Sequence, residues 1–325
     1  MNDQIQKYDP ARAGKQTGLL RGEPNDVYHS SDAVSSSNLS QFWANPKRYQ
    51  ALMLGEVEPS YTDAMRLGDL FHVTTLEDDE TWQDRLVPAE WQPPKPSKAE
   101  RAAYFRHASA TSLSKKEAEA QGARKQKIEI FDAFCKNHAG KTVVSDDEIA
   151  TADAMRNSLD QDPDAGPLLF AVNAETELTV RTRTLAYGFP VQARIDLCDF
   201  ENRRMIDLKS VRDLDLFARN VGQLGYYRQA AFYQLVFEKV TGIKINDFLF
   251  VACETSPPHE CAVFRVDPED IERGIREIDA GLRSLAKSLE SGDFPKRYPG
   301  INDVSLKPWD RYNSDRKLEV ASNVG

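Results

Sequence analysis

The chain has 325 residues, 40% of them hydrophobic and 29% charged, which is enough to bury a substantial core as one large domain or two modest ones. No apolar run approaches the roughly 18 residues that cross a bilayer, which excludes a transmembrane helix. The start, Met1-Asn2-Asp3-Gln4-Ile5-Gln6-Lys7, lacks the basic lead and apolar core of a secretory signal, so a cytoplasmic location is the expectation. The net charge of -9 opposes a general affinity for polyanions, yet its distribution is uneven. Residues Arg181 to Arg228 hold nine basic and six acidic side chains, and Lys95 to Ile128 hold nine and three. Cys135, Cys198, Cys253 and Cys261 are too scattered for a zinc or iron-sulfur cluster, and buried free thiols are expected.

In chain order, residues 1–26 are polar with Gly and Pro interspersed, and read as a disordered or loosely attached tail. The hydroxyl-rich run Ser35-Ser36-Ser37-Asn38-Leu39 predicts a capped helix ended by Asn45-Pro46. A second helix, Thr62 to Leu76, has an apolar side made by Met65, Leu70, Phe71 and Val73, and carries Gly68 and His72. Pro88, Pro93, Pro94 and Pro96 predict an extended connection, and residues 98–139 a largely helical insert packed through Ile128, Ile130, Phe131 and Phe134. Ser145-Asp146-Asp147-Glu148 caps a helix to about Leu159.

The period then changes to alternation. It predicts strands over Glu175 to Leu185, Phe189 to Asp199 and Arg204 to Lys209, joined as hairpins. Helices at Leu214 to Asn220 and Tyr226 to Thr241, strands at Asp247 to Cys253 and Cys261 to Val266, and a helix from Pro268 to Glu290 complete an α/β (α+β) chain, a central mixed sheet flanked by helices. The end, with Pro295, Pro299, Pro308 and Trp309, reads as a tail that packs through aromatics, followed by a flexible segment over 311–325. A single domain is expected over 27–310, with the insert at about 95–140.

Chemistry concentrates on the hairpin. Asp207 and Lys209, two apart on an otherwise apolar strand, leave the same face, and Asp196 lies on the neighbouring strand. Two carboxylates can hold Mg2+, with Mn2+ as a substitute, against a phosphodiester, and a compact ammonium can hold the attacking water or the charge that develops. Glu175 and Glu177 share a face upstream, either could join the metal, and Glu175 is the one taken here. The bland alternative is a structural Asp-Lys ion pair, since an Asp-x-Lys triplet alone is common.

Taken together, Gly68-Asp69-Leu70-Phe71-His72, Asp196, Asp207-Leu208-Lys209 and Gln229-Ala230-Ala231-Phe232-Tyr233 resemble the RecB-like branch of PD-(D/E)xK nucleases. The resemblance implies that a helical His72 joins the metal with Asp196 and Asp207, that Lys209 is catalytic, and that Gln229 and Tyr233 support it. Arg194, Arg212 and Arg228 are the DNA-contact candidates. With Ser35-Ser36-Ser37-Asn38-Leu39, Asn45-Pro46, Ala174-Glu175 and Pro308-Trp309, the likeness narrows to the RecE type (exodeoxyribonuclease VIII), over roughly residues 28–310. That type implies a phage or prophage origin, resection of linear duplex DNA from the 5' end, a RecT-like annealing partner and a ring-shaped homotetramer. Rival readings are a RecB-like nuclease of other polarity or flap specificity, a non-catalytic DNA-end-binding adaptor, and an α/β protein whose Asp-Lys pair is only structural. His29, His107, His138 and His259 show no recognisable spacing.

Overall fold

The computed structural model describes residues 4–58, 61–77, 86–107, 114–138, 141–171, 174–183 and 186–322. Strands β1 (Ile5–Lys7) and β2 (Gly18–Arg21) open the chain, followed by helices α1 (Asn25–Ser30), α2 (Ser36–Ala44), α3 (Pro46–Met53) and α4 (Asp63–Leu76). Strand β3 (Leu86–Pro88), helices α5 (Lys98–His107) and α6 (Lys115–Asn137) and strand β4 (Thr142–Val144) form the insert. Helices α7 (Asp146–Gln161) and α8 (Gly166–Leu169) lead into β5 (Ala174–Thr182), β6 (Val191–Asp199) and β7 (Arg204–Val211). Then come α9 (Phe217–Asn220), α10 (Tyr226–Thr241), β8 (Asp247–Glu254), β9 (Cys261–Arg265), α11 (Pro268–Ser291) and α12 (Pro308–Ser322).

The helix starts follow local chemistry. Ser35 and Ser145 accept from the backbone N–H three residues on, while Asn38 and Glu148 reach back to them. These reciprocal bonds satisfy donors that a helix start leaves orphaned. Asn45-Pro46 ends α2 at Ala44, as expected, and at once starts α3: Asn45 caps the new helix and Pro46 occupies its first turn, where a missing N–H costs nothing.

Seven strands make one mixed sheet in the order β1-β2-β5-β6-β7-β8-β9. β5, β6 and β7 run antiparallel in sequence, β7 pairs parallel with β8, and β9 closes the far edge antiparallel. Its faces bury two cores. On one, Leu39 and Phe42 of α2, Phe232 and Phe237 of α10 and Ile278, Leu282 and Leu285 of α11 cover Leu178, Val180, Met205 and Phe250. On the other, Phe71 of α4 and Met155 and Leu159 of α7 cover Ile206, Leu208, Leu249 and Val251. A side chain at Gly274 would put its Cβ 2.7 Å from the Ala231 Cβ, so α11 lies against α10 only because that position is bare.

Three expectations are corrected. The N-terminal segment is built into the sheet: Leu19 and Leu20 are buried in β2, and Arg181 of β5 makes a bidentate pair with Glu23 at 2.8 and 2.9 Å, both side chains fully buried. Polar composition concealed this, because the polar groups satisfy one another rather than water. The C-terminal aromatics do not pack inward: Trp309 is 69% and Tyr298 64% exposed. Of the segment expected to be flexible, residues 311–322 are helical and belong to α12. Ile130 and Met65, expected on packed faces, are each 50% exposed. The last residues of the first expected strand, Thr184 and Leu185, lie outside the described residues, as does the side chain of His107.

Candidate active site

Strand β7 is buried on both faces, so alternation sorts its side chains. Met205 and Val211 enter the larger core, and Ile206 and Leu208 the smaller one. Asp207 and Lys209 therefore share the face that α10 covers. The ladder between β6 and β7 includes Leu197↔Ile206 and stops there. Beyond it the Asp196 carboxylate stands in for the lost backbone acceptor, taking a 2.8 Å hydrogen bond from the Leu208 N–H. The strands part where both aspartates lie.

Side chains from β7, α10 and α4 join Asp196 of β6 at this gap. From β7, the Lys209 ammonium pairs with the Asp207 carboxylate and lies 5.1 Å from the Tyr226 ring centre. From α10, Gln229 donates to Asp207 Oδ1 at 2.8 Å and to the Tyr233 hydroxyl at 3.1 Å, so one amide orients the carboxylate. From α4, His72 Nε2 donates to the Leu208 carbonyl at 2.8 Å. In the neutral imidazole that bond leaves Nδ1 as the lone-pair nitrogen, 3.5 Å from Asp196 Oδ2. Gly68, one turn earlier, lets α4 approach β7, since a Cβ there would sit 3.2 Å from the Ser210 hydroxyl.

The electrostatics follow from burial. Burial and the charge of Asp207 push the Asp196 carboxyl well above its ordinary range, against the pull of Lys209. Burial opposes the charge on Lys209, but Asp207 and Asp196 more than offset it and raise the ammonium. Burial lifts Glu177 to about 7, with Arg194 opposing and Asp196 adding to the rise.

His72, Glu177 and Asp196 each offer a donor atom, all within 4.8 Å of one another. One imidazole nitrogen and two carboxylates are a donor set that suits a small divalent cation, so the residues present fit a metal ion. Asp207 stands beside this trio, engaged by Lys209 and Gln229.

Most of the residues singled out in the sequence meet here: His72, Asp196, Asp207, Lys209, Gln229 and Tyr233. Glu175 does not, because its carboxylate pairs with Arg21 of β2. Arg194 is turned inward, bonded to Asn25 at 3.0 Å and the Glu23 carbonyl at 2.6 Å, with its guanidinium 4.6 Å from the Tyr28 ring centre. Arg228 is held by Glu277 at 3.2 Å and by the Tyr227 hydroxyl at 2.8 Å. Only Arg212, exposed just past the end of β7, keeps the open position that a DNA contact requires. Glu177 is the member that parity could not separate from Glu175, and the signal that separates them is in the backbone rather than in residue type.

No curated protein matches the chain in sequence. Among solved structures, a candidate exonuclease from Eubacterium rectale superposes with a TM-score of 0.51 at 13% identity, covering 89% of this chain and 96% of that one. At that identity the likeness speaks for the fold alone. The crystal structure of SSO0001 overlaps at a TM-score of 0.26 and 14% identity over 61% of this chain and 87% of that one, too weak to carry an argument. Residues 35–304 match the family described as the PDDEXK-like domain of unknown function (DUF3799), and with its parted β6 and β7 and its Asp196, Asp207 and Lys209 this chain belongs to that family.

Proposed function

We propose that the protein is a divalent-metal-dependent deoxyribonuclease, and more finely a RecE-type exonuclease that resects linear duplex DNA from the 5' end. The observation that carries the nuclease reading is the convergence of Asp196, Asp207 and Lys209 on one gap in the sheet, with His72 and Gln229 arranged around them. His72 and Asp196 would hold the cation, with Asp207 beside them. When bound, such a cation neutralises phosphate charge and acidifies water.

The chain's own residues do the rest. Lys209 presents a fixed positive charge at the place where charge develops on an attacked phosphate. Asp207 keeps that ammonium charged and aimed, and Gln229 holds Asp207 so that it does not rotate away. Tyr226 and Phe250 wall the ammonium off from bulk water, which strengthens each of these interactions.

The finer reading rests on the resemblance in sequence. It includes 3' single strands handed to a RecT-like annealing protein, a ring-shaped homotetramer and a cytoplasmic setting in a phage-bearing host. The test is a linear duplex labelled separately at its 5' and 3' ends. Release of the 5' label first, dependent on Mg2+ and lost in EDTA, is the expected result. Release of the 3' label first rejects the RecE-type polarity and keeps the nuclease, whereas no release with either Mg2+ or Mn2+ removes the nuclease reading. Light scattering at micromolar concentration checks the tetramer, and a monomeric mass discards it.

A further inference from the structure

Glu177 occupies a position that an ordinary strand residue would avoid. Pairing between β5 and β6 keeps one register on either side, Thr176↔Leu197 and Leu178↔Ile195, which puts Glu177 opposite Asp196, yet the ladder skips that pair. The reason is local: Glu177 has φ 50, in the left-handed region where a side chain with a Cβ is disfavoured. The alternation of β6 breaks at the same level, since Ile195 and Cys198, three residues apart, both pack in the larger core. Three unfavourable features thus coincide at one residue. It is a like charge placed opposite another across a strand pair, it is largely removed from water, and its backbone leaves the extended basin.

Among the described residues, the nearest basic side chain does not resolve these features. Arg194 Nε stays 3.8 Å from Glu177 Oε2, and that Nε is buried without a hydrogen-bond partner while the rest of the guanidinium is engaged by Asn25 and the Glu23 carbonyl. The turned backbone instead delivers the carboxylate to His72 and Asp196, within 4.8 Å of both donors. We propose that Glu177 is a direct ligand of the divalent cation, completing with His72 Nδ1 and Asp196 a three-donor seat, and that its left-handed backbone is retained for that purpose.

This inference rests on the reading of the gap as a metal-dependent nuclease site, and its test does not depend on cleavage. Binding of Mn2+ alone, without DNA, is followed by the paramagnetic resonance signal of the free ion, and melting of the metal-free protein is followed in parallel. Glu177→Gln removes the charge and keeps the length, whereas Glu177→Asn also suits the left-handed backbone. Both are expected to weaken Mn2+ binding by at least about tenfold, the size of effect that loss of a metal-orienting group produces. Metal-free Glu177→Asn is expected to melt no lower than the parent, and up to about 2 °C higher because strain is relieved. Glu175→Gln, the control, leaves Mn2+ affinity unchanged.

Unchanged Mn2+ affinity in Glu177→Gln overturns the proposal, and so does an equal loss in Glu175→Gln. A drop of several degrees in the melting of both metal-free Glu177 variants also overturns it, since that is the mark of a purely structural residue. A protein that binds Mn2+ through Glu177 but leaves duplex DNA intact defeats the nuclease reading alone.

Discussion

Lys209 and Asp207 show what one residue contributes here, because each is buried against the other and the pairing holds the ammonium charged. Replacing Lys209 with Ala removes a charge poised at the gap, and a loss of about 10²- to 10³-fold in turnover is expected, with DNA affinity little changed. Single-turnover cleavage beside an equilibrium binding assay separates the two. Gln229→Ala frees Asp207 Oδ1 without removing a charge, so a smaller loss, about tenfold, is expected in the same assay. An effect of Gln229→Ala as large as that of Lys209→Ala would mean that the amide touches substrate. At this scale the sequence was informative because an Asp-x-Lys on an apolar strand has few ways to be satisfied. It could not rank Glu175 against Glu177, since parity assumes extended backbone throughout, and φ at Glu177 departs from that. Nor could it show that Arg194 and Arg228 are engaged by partners within the chain, Asn25 and the Glu23 carbonyl in one case and Glu277 in the other.

Among the elements, α4 and α7 deserve pairing because the first carries His72 and the second holds it in place. Arg66 of α4 reaches Glu148 in the first turn of α7 at 2.6 Å, while Glu148 also closes the cap with Ser145. Burial alone would raise Glu148, but the Ser145 N–H, Arg66 and the Ser145 hydroxyl outweigh it and hold the carboxyl below its ordinary 4.5. A depressed carboxylate stabilises the fold above its unfolded value and loses that contribution as pH falls through the folded one. Glu148→Gln is therefore expected to melt below the parent at neutral pH and to converge with it well below pH 4.5, which thermal scans across pH will check. Ser145→Ala, which removes the cap alone, should cost about 1 kcal/mol by urea unfolding. These caps and the β5–β7 hairpins were legible in advance, since hydroxyl, acid and alternation signals act within a few residues. The fate of the C-terminal aromatics was not, because whether Trp309 meets a surface depends on contacts that local pattern does not encode.

Across the whole molecule, the proposed cation site would couple binding to folding. A ligand that binds only the folded chain stabilises it by about 2.7 kcal/mol at one hundred times its dissociation constant, so Mn2+ is expected to raise the melting temperature and EDTA to reverse the rise. A second dependence on distant parts comes from Arg181, whose guanidinium is matched by Glu23 from another part of the chain. Glu23→Ala should destabilise by about 3–5 kcal/mol, because it strands a charge away from water, and denaturant unfolding measures it. The matched portion of the chain begins at residue 35, twelve positions after Glu23 by simple subtraction. A fragment trimmed to that boundary would discard the Arg181 counter-ion together with Asn25 and Tyr28, which brace Arg194, and would expose the outer edge of β5. Poor yield or clumping from such a shortened piece would then report an amputated sheet rather than an inactive enzyme, and restoring the first thirty or so residues is the remedy to try before judging catalysis.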